Sequence, residues 1–338
     1  MQVGKLTSEP PGYAVITGNG RSGTNWVEAI LHASPLTHCR SEPYGIPTSP
    51  FHQVPQLWKT GRTTPDMARL WDEIVTWSRS RIGRGDHEFS SPKRYVHPLA
   101  QASGIARLIA HSKSRRLLGF MQPSLRQGES LMPWWIGSQR RLEQAYPVFK
   151  INLDRCMVSW TLTNRPQARI LHVVRHPCGR LNSWLSRYVA GRNVDDILVV
   201  RKDRLRKIGE AESDWRAKFG DIEALSLVEC EVWFWRYLNE SVYAAGHDHP
   251  GYLRLVYEDL AEYPLEHARQ AYAFCGLPWD AQVEAIVTCG LDSSSGGKRS
   301  RTPASIARAW KTKLSPEHIR TVERIVQDSP IMTWWTRD

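Results

Sequence analysis

The chain opens with a five-residue β-prone run, Tyr13–Thr17, that passes directly into Gly18-Asn19-Gly20-Arg21-Ser22-Gly23. A helical pattern follows, with Trp26, Val27, Ile30 and Leu31 on one face. Ser34-Pro35 stops it, because a residue before proline is pushed out of the helical region. Strand, glycine turn and helix in that order begin a βαβ unit, which commits the chain to an α/β class of parallel strands and right-handed crossovers. Glycines in such a turn let backbone N–H groups converge on an anion, and the helix N-terminus adds its dipole. Arg21 supplies a forked cation for phosphate or sulfonate oxygens, and Ser22, Thr24 and Asn25 add donors. The turn is not a Walker A loop, since Gly23 is followed by Thr24-Asn25 and not by Lys-Ser/Thr. It is not the dinucleotide fingerprint either, because Gly23 falls at the wrong spacing for that motif's third glycine.

The remaining pattern alternates strands and helices. Val148–Leu153, Arg169–Val174 and Tyr252–Tyr257 read as strands. Asp66–Arg79, Gly104–Lys113, Leu181–Val189, Leu225–Ala245, Leu265–Cys275 and Pro316–Gln327 read as helices. Val194–Asp221 reads as a charged helical excursion or lid, and Asp292–Pro303 as a basic Gly/Ser loop. With 338 residues and 41% apolar side chains, one large domain spanning 1–338 is expected, and global disorder is excluded. No apolar run approaches the roughly 18 residues of a membrane span, and no secretory signal is legible at the N-terminus. The six cysteines are scattered without a Cys-x-x-Cys pair, which argues against a zinc site or disulfide framework and fits a reducing cytosol. A cytoplasmic protein is therefore expected.

A second motif follows the strand at Arg169–Val174: Arg175-His176-Pro177 enters a helix, and Ser183 lies eight residues after Arg175. An Arg leaving the carboxyl end of a parallel strand faces the ligand crevice, and a Ser two turns later reaches the same anion. Together the two motifs resemble the sulfotransferases that use 3′-phosphoadenosine 5′-phosphosulfate (PAPS). In that family a Lys/Arg-Ser-Gly-Thr loop binds the 5′-phosphosulfate, and the sequence from Arg21 to Trp26 matches it. The resemblance assigns Arg21, Ser22, Gly23, Thr24, Asn25 and Trp26 to donor binding, with Trp26 stacked on adenine. It assigns Arg175 and Ser183 to the 3′-phosphate. Leu255-Val256-Tyr257-Glu258-Asp259-Leu260, and Lys298, Arg299 and Arg301 ahead of Trp310-Lys311, echo the family's later segments. The last three basic residues are candidates to cover the 3′-phosphate. The fold implied is an α/β single domain, with a central parallel sheet flanked by helices in the P-loop NTPase-like sulfotransferase form.

Sulfuryl transfer resembles phosphoryl transfer: cations stabilise the sulfonate and the leaving phosphate, and a base takes the acceptor proton. Arg21 and Lys150 are the candidate charge stabilisers. Pro147-Val148-Phe149-Lys150-Ile151-Asn152 resembles the family's Lys-Thr-His segment, but Asn152 stands at the position of the basic His. An amide takes no proton at neutral pH. Another branch of the family uses a Glu after the first helix, and Ser41-Glu42-Pro43 sits there, which makes Glu42 the candidate general base. His38, His52 and His97 are reserve bases. No metal-ligand spacing is evident, so the expected cofactor set is PAPS and its product PAP, without metal.

Net charge is +11, from 45 basic and 34 acidic residues. That excess alone is compatible with nucleic acid, a membrane or a small anion. The paired motifs favour the small anion, so the expected partner is a small-molecule or glycan acceptor bearing a hydroxyl, with no nucleic acid and no membrane. Segments 45–140 and 190–222 are the candidate acceptor-binding or lid regions. Trp58, Trp71, Trp77, Trp134 and Trp135 are candidate stacking platforms or core residues. Two other readings stay open at this point: a P-loop small-molecule kinase and a non-catalytic basic polyanion-binding protein.

Overall fold

The computed structural model describes residues 12–43, 49–53, 67–80, 82–83, 93–99, 130–131, 138–151, 155–293 and 303–335. Strands β1 (Tyr13–Thr17), β2 (Thr37–Ser41), β3 (Tyr146–Lys150), β4 (Ala168–Val174) and β5 (Tyr252–Val256) form one parallel sheet in the order β2-β3-β1-β4-β5. Helices α1 (Thr24–His32), α2 (Met67–Ser78), α3 (Arg155–Asn164), α4 (Pro177–Trp184), α5 (Val194–Ala211), α6 (Leu227–Gly246), α7 (Tyr257–Glu262), α8 (Pro264–Cys275), α9 (Pro303–Arg308) and α10 (Pro316–Val326) pack around it.

The period of two along β1 divides the core. Tyr13 and Val15 join Phe149 and Ile170 on one face, under Trp71 and Ile74 of α2 and Leu238 and Val242 of α6. Ala14 and Ile16 join Val148, Leu171 and Val173 on the other, under Val27, Ile30 and Leu31 of α1 and Tyr272 of α8. Burial on both faces makes β1 an uninterrupted apolar run, as central parallel strands require. Each fully buried Val, Leu or Ile contributes about 1.5–3 kcal/mol.

Local chemistry sets the ends of the elements. Ser226 and Glu229 form a reciprocal capping box, so α6 begins at Leu227. Gly276, at φ 66°, ends α8 where the sequence pattern does. Lys93 is buried and donates to the carbonyls of His32 and Ser34, at the end of α1 where carbonyls lack intrahelical donors. Arg40 of β2 donates to the Ser80 carbonyl at 2.8 Å and lies over Trp77.

Three expectations shift. β2 carries the polar sequence Thr-His-Cys-Arg-Ser, which shows no strand pattern, yet it pairs with β3 along its whole length. β3 starts at Tyr146 and includes Pro147, where the sequence expectation starts after the proline. Helix α4 begins at Pro177, the first-turn position that tolerates proline, and a π-helical turn, Leu185–Val189, follows it. The expected helix Gly104–Lys113 lies outside the described residues. Among the described residues no helix is long and apolar enough to cross a membrane.

Topology also locates a crevice. The chain leaves β1 toward β2 and leaves β4 toward β5, so adjacent strands β1 and β4 send their connections in opposite directions. Ligands of open α/β sheets bind at such a switch point, outside the strands' carboxyl ends.

One buried group makes the fold acid-sensitive. His172, in β4, is fully buried, with Nδ1 2.6 Å from the Tyr252 hydroxyl and Nε2 3.1 Å from Asn239 Oδ1. Asn239 spends its Nδ2 on the Trp235 carbonyl, so the imidazole donates from Nε2 and accepts at Nδ1 as a neutral ring. Burial pushes its pKa from 6.5 down to about 3. Below about pH 6.5 the unfolded chain takes a proton there that the folded chain refuses until about 3. Stability is therefore present above that window and lost as pH falls through it. Denaturant titrations from pH 7 to 4 should show this loss, and His172→Gln should flatten it while lowering stability at pH 7. An unchanged slope in that variant would remove His172 from the acid response.

Candidate active site

The turn after β1 lies at the switch point. Gly18 adopts φ 156°, and a Cβ there would fall 2.3 Å from the Val173 carbonyl oxygen, so only glycine lets β1 and β4 close together at their ends. Gly23 adopts φ 100°, and a Cβ would fall 2.4 Å from the Tyr257 ring. Arg21 takes φ 76°, a left-handed conformation that costs an ordinary residue about 1–2 kcal/mol. Its side chain is exposed, and Nε donates to Ser183 Oγ at 3.1 Å. Ser22 Oγ and Asn19 Nδ2 are buried with no hydrogen-bond partner among the described residues. Buried polar atoms of this kind cost free energy unless a ligand or water meets them.

The segment after β4 closes the other side. Arg175 is buried, and its Nη1 donates to the Arg21 carbonyl at 3.3 Å and Nη2 to the Ile306 carbonyl at 3.2 Å. Its Nε has no partner among the described residues. The guanidinium lies 4.3 Å over the Tyr257 ring. Burial lowers its pKa; Tyr257 and Glu258 oppose that shift, and the neighbouring Arg21 charge adds to it. An anion beside it would supply the missing countercharge. Glu258 fixes the turn by accepting from the His176 N–H at 3.2 Å and the Trp335 Nε1–H at 2.9 Å, and burial raises its pKa. His176 stacks on Trp310 with centroids 4.6 Å apart, so Trp310 packs on the residue that follows Arg175. Trp26 meets the Tyr257 ring edge to face at 5.8 Å.

A third group sits at the end of β3. Lys150 Nζ donates to Asn25 Oδ1 at 2.6 Å and lies 3.5 Å from Glu28 Oε2 and 3.4 Å from Glu42 Oε1. Glu28 is buried and also accepts a short hydrogen bond from Ser41. Glu42 donates its N–H to the Lys150 carbonyl at 2.8 Å, adopts φ 49°, and exposes 70% of its side chain. A fixed ammonium and an exposed carboxylate thus lie beside Asn25 in the first turn of α1.

A family model described as the sulfotransferase family matches residues 14–281, a span that contains Arg21, Lys150, Arg175 and Tyr257. The chain belongs to the sulfotransferase family. No curated protein matches it. Solved structures similar to this sulfotransferase include the sulfotransferase domain of the Synechococcus PCC 7002 olefin synthase. That match has 15% identity over 96% of this chain and 98% of that one, at TM-score 0.43. The sulfotransferase domain from the curacin biosynthetic pathway matches at 14% over 95% and 98%, TM-score 0.44. Mouse sulfotransferase SULT7A1 complexed with PAP matches at 12% over 94% and 84%, TM-score 0.43.

In this sulfotransferase the two sequence motifs meet: Arg21, Ser183 and Arg175 form one connected group. Asn152, Lys298, Arg299 and Arg301 lie outside the described residues, as do Trp58, Trp134 and Trp135. Trp71 and Trp77 are core residues and offer no stacking platform. Among the reserve bases, His38 is buried edge-on against Tyr95, whereas His52 and His97 are exposed. Segment 190–222 forms α5, a second helix at Ser213–Phe219 and part of a 3-10 turn at Ile222–Ala224. Among the described residues Cys39, Cys178, Cys230, Cys275 and Cys289 form no disulfide. Sequence reasoning missed Glu28, Tyr257 as the ring beneath Arg175, and Arg180, which donates to the Gly20 carbonyl at 3.2 Å. The Tyr-Glu-Asp echo after β5 was a signal for Tyr257. Nothing local marks Glu28 or Arg180.

Proposed function

We propose that this sulfotransferase moves the sulfonate group of PAPS to a hydroxyl of a carbohydrate or small-molecule acceptor by in-line displacement, giving PAP and a sulfate ester. The observation that carries this reading is the convergence of Arg21, Ser183 and Arg175 at the switch point, with Arg175 Nε and Ser22 Oγ buried and without partners among the described residues. Those residues fit a donor with two separated anionic ends. Ser22, Gly23, Thr24 and Asn25 receive the 5′-phosphosulfate at the amino end of α1, Trp26 and Tyr257 border the adenine, and Arg175 and Ser183 take the 3′-phosphate. Lys298, Arg299 and Arg301 are proposed to cover it.

As the acceptor oxygen bonds to sulfur, the bond from sulfur to the bridging phosphate oxygen breaks, and its electron pair leaves with PAP. Arg21 and Lys150 stabilise the charge that develops there. Glu42 takes the hydroxyl proton. Segments 45–140 and 190–222 form the acceptor walls of a single domain spanning 1–338, and cysteines that form no disulfide among the described residues fit a reducing cytosol. A Glu base favours a sugar hydroxyl.

Thermal-shift titration separates this reading from a kinase or a polyanion binder, since a ligand stabilises the fold it binds. PAP is expected to raise the melting temperature and ATP-magnesium and an oligonucleotide to leave it unchanged. A shift with ATP-magnesium alone would overturn the proposal.

A further inference from the structure

Behind the donor loop, two arginines hold one carboxylate and a third lies within its electrostatic reach. Arg180 of α4, itself 4% exposed, donates from Nη1 to Glu231 of α6, which is fully buried. Arg201 of α5 reaches the other oxygen of Glu231, at 2.5 Å from Nε. Arg204 of α5 lies close enough that burial and the Arg201 charge lower its pKa to about 10, against the opposing pull of Glu231. The Arg180 and Arg201 guanidiniums lie over the Trp184 ring, at 5.6 and 5.2 Å. Such a cluster could serve only to tie helices together. Arg180 does one thing more: its Nε donates to the Gly20 carbonyl, the peptide that precedes left-handed Arg21.

We infer that Arg180, anchored by Glu231, is a positioning residue that fixes the Gly20–Arg21 peptide for donor binding. The Gly20 carbonyl and the Arg21 N–H belong to the same planar peptide and point in opposite directions. Holding the carbonyl back toward α4 turns the N–H toward the crevice. Arg175 holds the next carbonyl, that of Arg21, and Ser183 holds the Arg21 side chain. Three points on the loop are therefore set from one segment, residues 175–183, and of the three only Arg180 is paired with a buried carboxylate. Its fork spans two acceptors, Gly20 and Glu231, which a lysine ammonium on its flexible stem does not reproduce. Because Arg201 shares Glu231, α5 in segment 190–222 bears on the same anchor.

This inference rests on the donor reading above, and the test separates the two. Calorimetry with PAP and with inorganic pyrophosphate is run on the wild type, Arg180→Lys and Glu231→Gln, each well below its own melting temperature. Arg180→Lys keeps the charge, so a loss of about ten-fold in PAP affinity reports geometry. The donor KM should rise by the same factor while the acceptor KM stays put, a split that general loosening of the fold does not give. Glu231→Gln removes a negative charge near an anion site. Electrostatics alone predicts tighter PAP binding, and the positioning role predicts weaker binding. Affinity within two-fold of wild type in Arg180→Lys, or tighter binding in Glu231→Gln, overturns the inference. Should either buried variant not fold, Arg201→Gln weakens the anchor at a side chain 17% exposed. A smaller loss in the same direction then supports the role, and no change overturns it. Wild-type protein that takes pyrophosphate but not PAP removes the donor reading and leaves Arg180 to be judged with pyrophosphate. Uptake of neither removes both.

Discussion

Arg175→Ala is expected to weaken PAP binding by about 1.5–3 kcal/mol, the worth of a hydrogen bond to a charged group. Arg175 is 6% exposed, and its two occupied nitrogens reach neutral carbonyls at 3.2 and 3.3 Å, with Nε lacking a partner among the described residues. Such a cation is poorly compensated, because burial lowers its pKa and Arg21 adds a like charge. A 3′-phosphate would satisfy Nε and neutralise the site at once. Gly179 leaves the space for that contact: a Cβ there would sit 3.1 Å from Nε and 3.3 Å from the Trp310 ring. Calorimetry should therefore show the full loss with PAP and almost none with adenosine 5′-phosphate, which lacks the 3′ group. Arg175→Lys should recover only part, since an ammonium cannot fork between the phosphate and the Arg21 carbonyl. Equal losses for the two ligands, or unchanged PAP affinity, would sink the assignment. Equal losses would mean that Arg175 acts through the Arg21 loop and not on the 3′-phosphate.

The sequence exposes those parts of this fold whose signal is local. β1, the turn and α1 are read from adjacent residues, because an apolar run, a glycine cluster and a 3.6-residue period all lie within one window. Arg175 and Ser183 become legible as a pair through their fixed spacing beyond a strand. What stays hidden depends on partners far along the chain. β2 is polar in sequence because Arg40 finds Ser80 and Trp77, and Thr37 donates to the Leu31 and Ser34 carbonyls; none of these partners is implied by its own residues. Lys93 belongs to a basic stretch in sequence, yet it is a buried cap for α1. Pro147 hides the start of β3, since proline lacks the N–H that a ladder uses. Glu28 reads as an ordinary helix carboxylate until Lys150 and Ser41 are placed beside it. Arg180 looks like one more basic residue in a chain of net charge +11, and only the Gly20 carbonyl and Glu231 separate it from the solvated surface. The charge excess is thus divided by contact. A few arginines and one lysine converge on the crevice, others are buried struts, and composition alone distinguishes none of them.

Glu42→Gln is expected to lower turnover by about 10²-fold or more while leaving PAP affinity nearly intact. Three observations single this carboxylate out from its neighbours. Its backbone is pinned to β3 by the N–H bond to the Lys150 carbonyl, so its position is set by the sheet and not by a free loop. It holds φ 49°, a conformation that costs an ordinary residue about 1–3 kcal/mol and that persists only where surrounding structure imposes it. It exposes 70% of its side chain at Lys150, whereas Glu28 on the same ammonium is sealed and committed to Ser41. Of the two carboxylates, only Glu42 can meet an incoming hydroxyl. Glutamine keeps the shape and an oxygen for Lys150 but cannot take a proton, so the substitution separates basicity from packing. Transfer from labelled PAPS into the acceptor fraction of a cell extract measures turnover, and calorimetry measures PAP binding in the same preparation. Glu42→Ala gives the complementary result: formate, small enough for the vacated space, should restore part of the transfer. Full transfer in Glu42→Gln, or a parallel fall in PAP affinity that accounts for the lost turnover, would take the base role from Glu42 and turn the search to exposed His52 and His97.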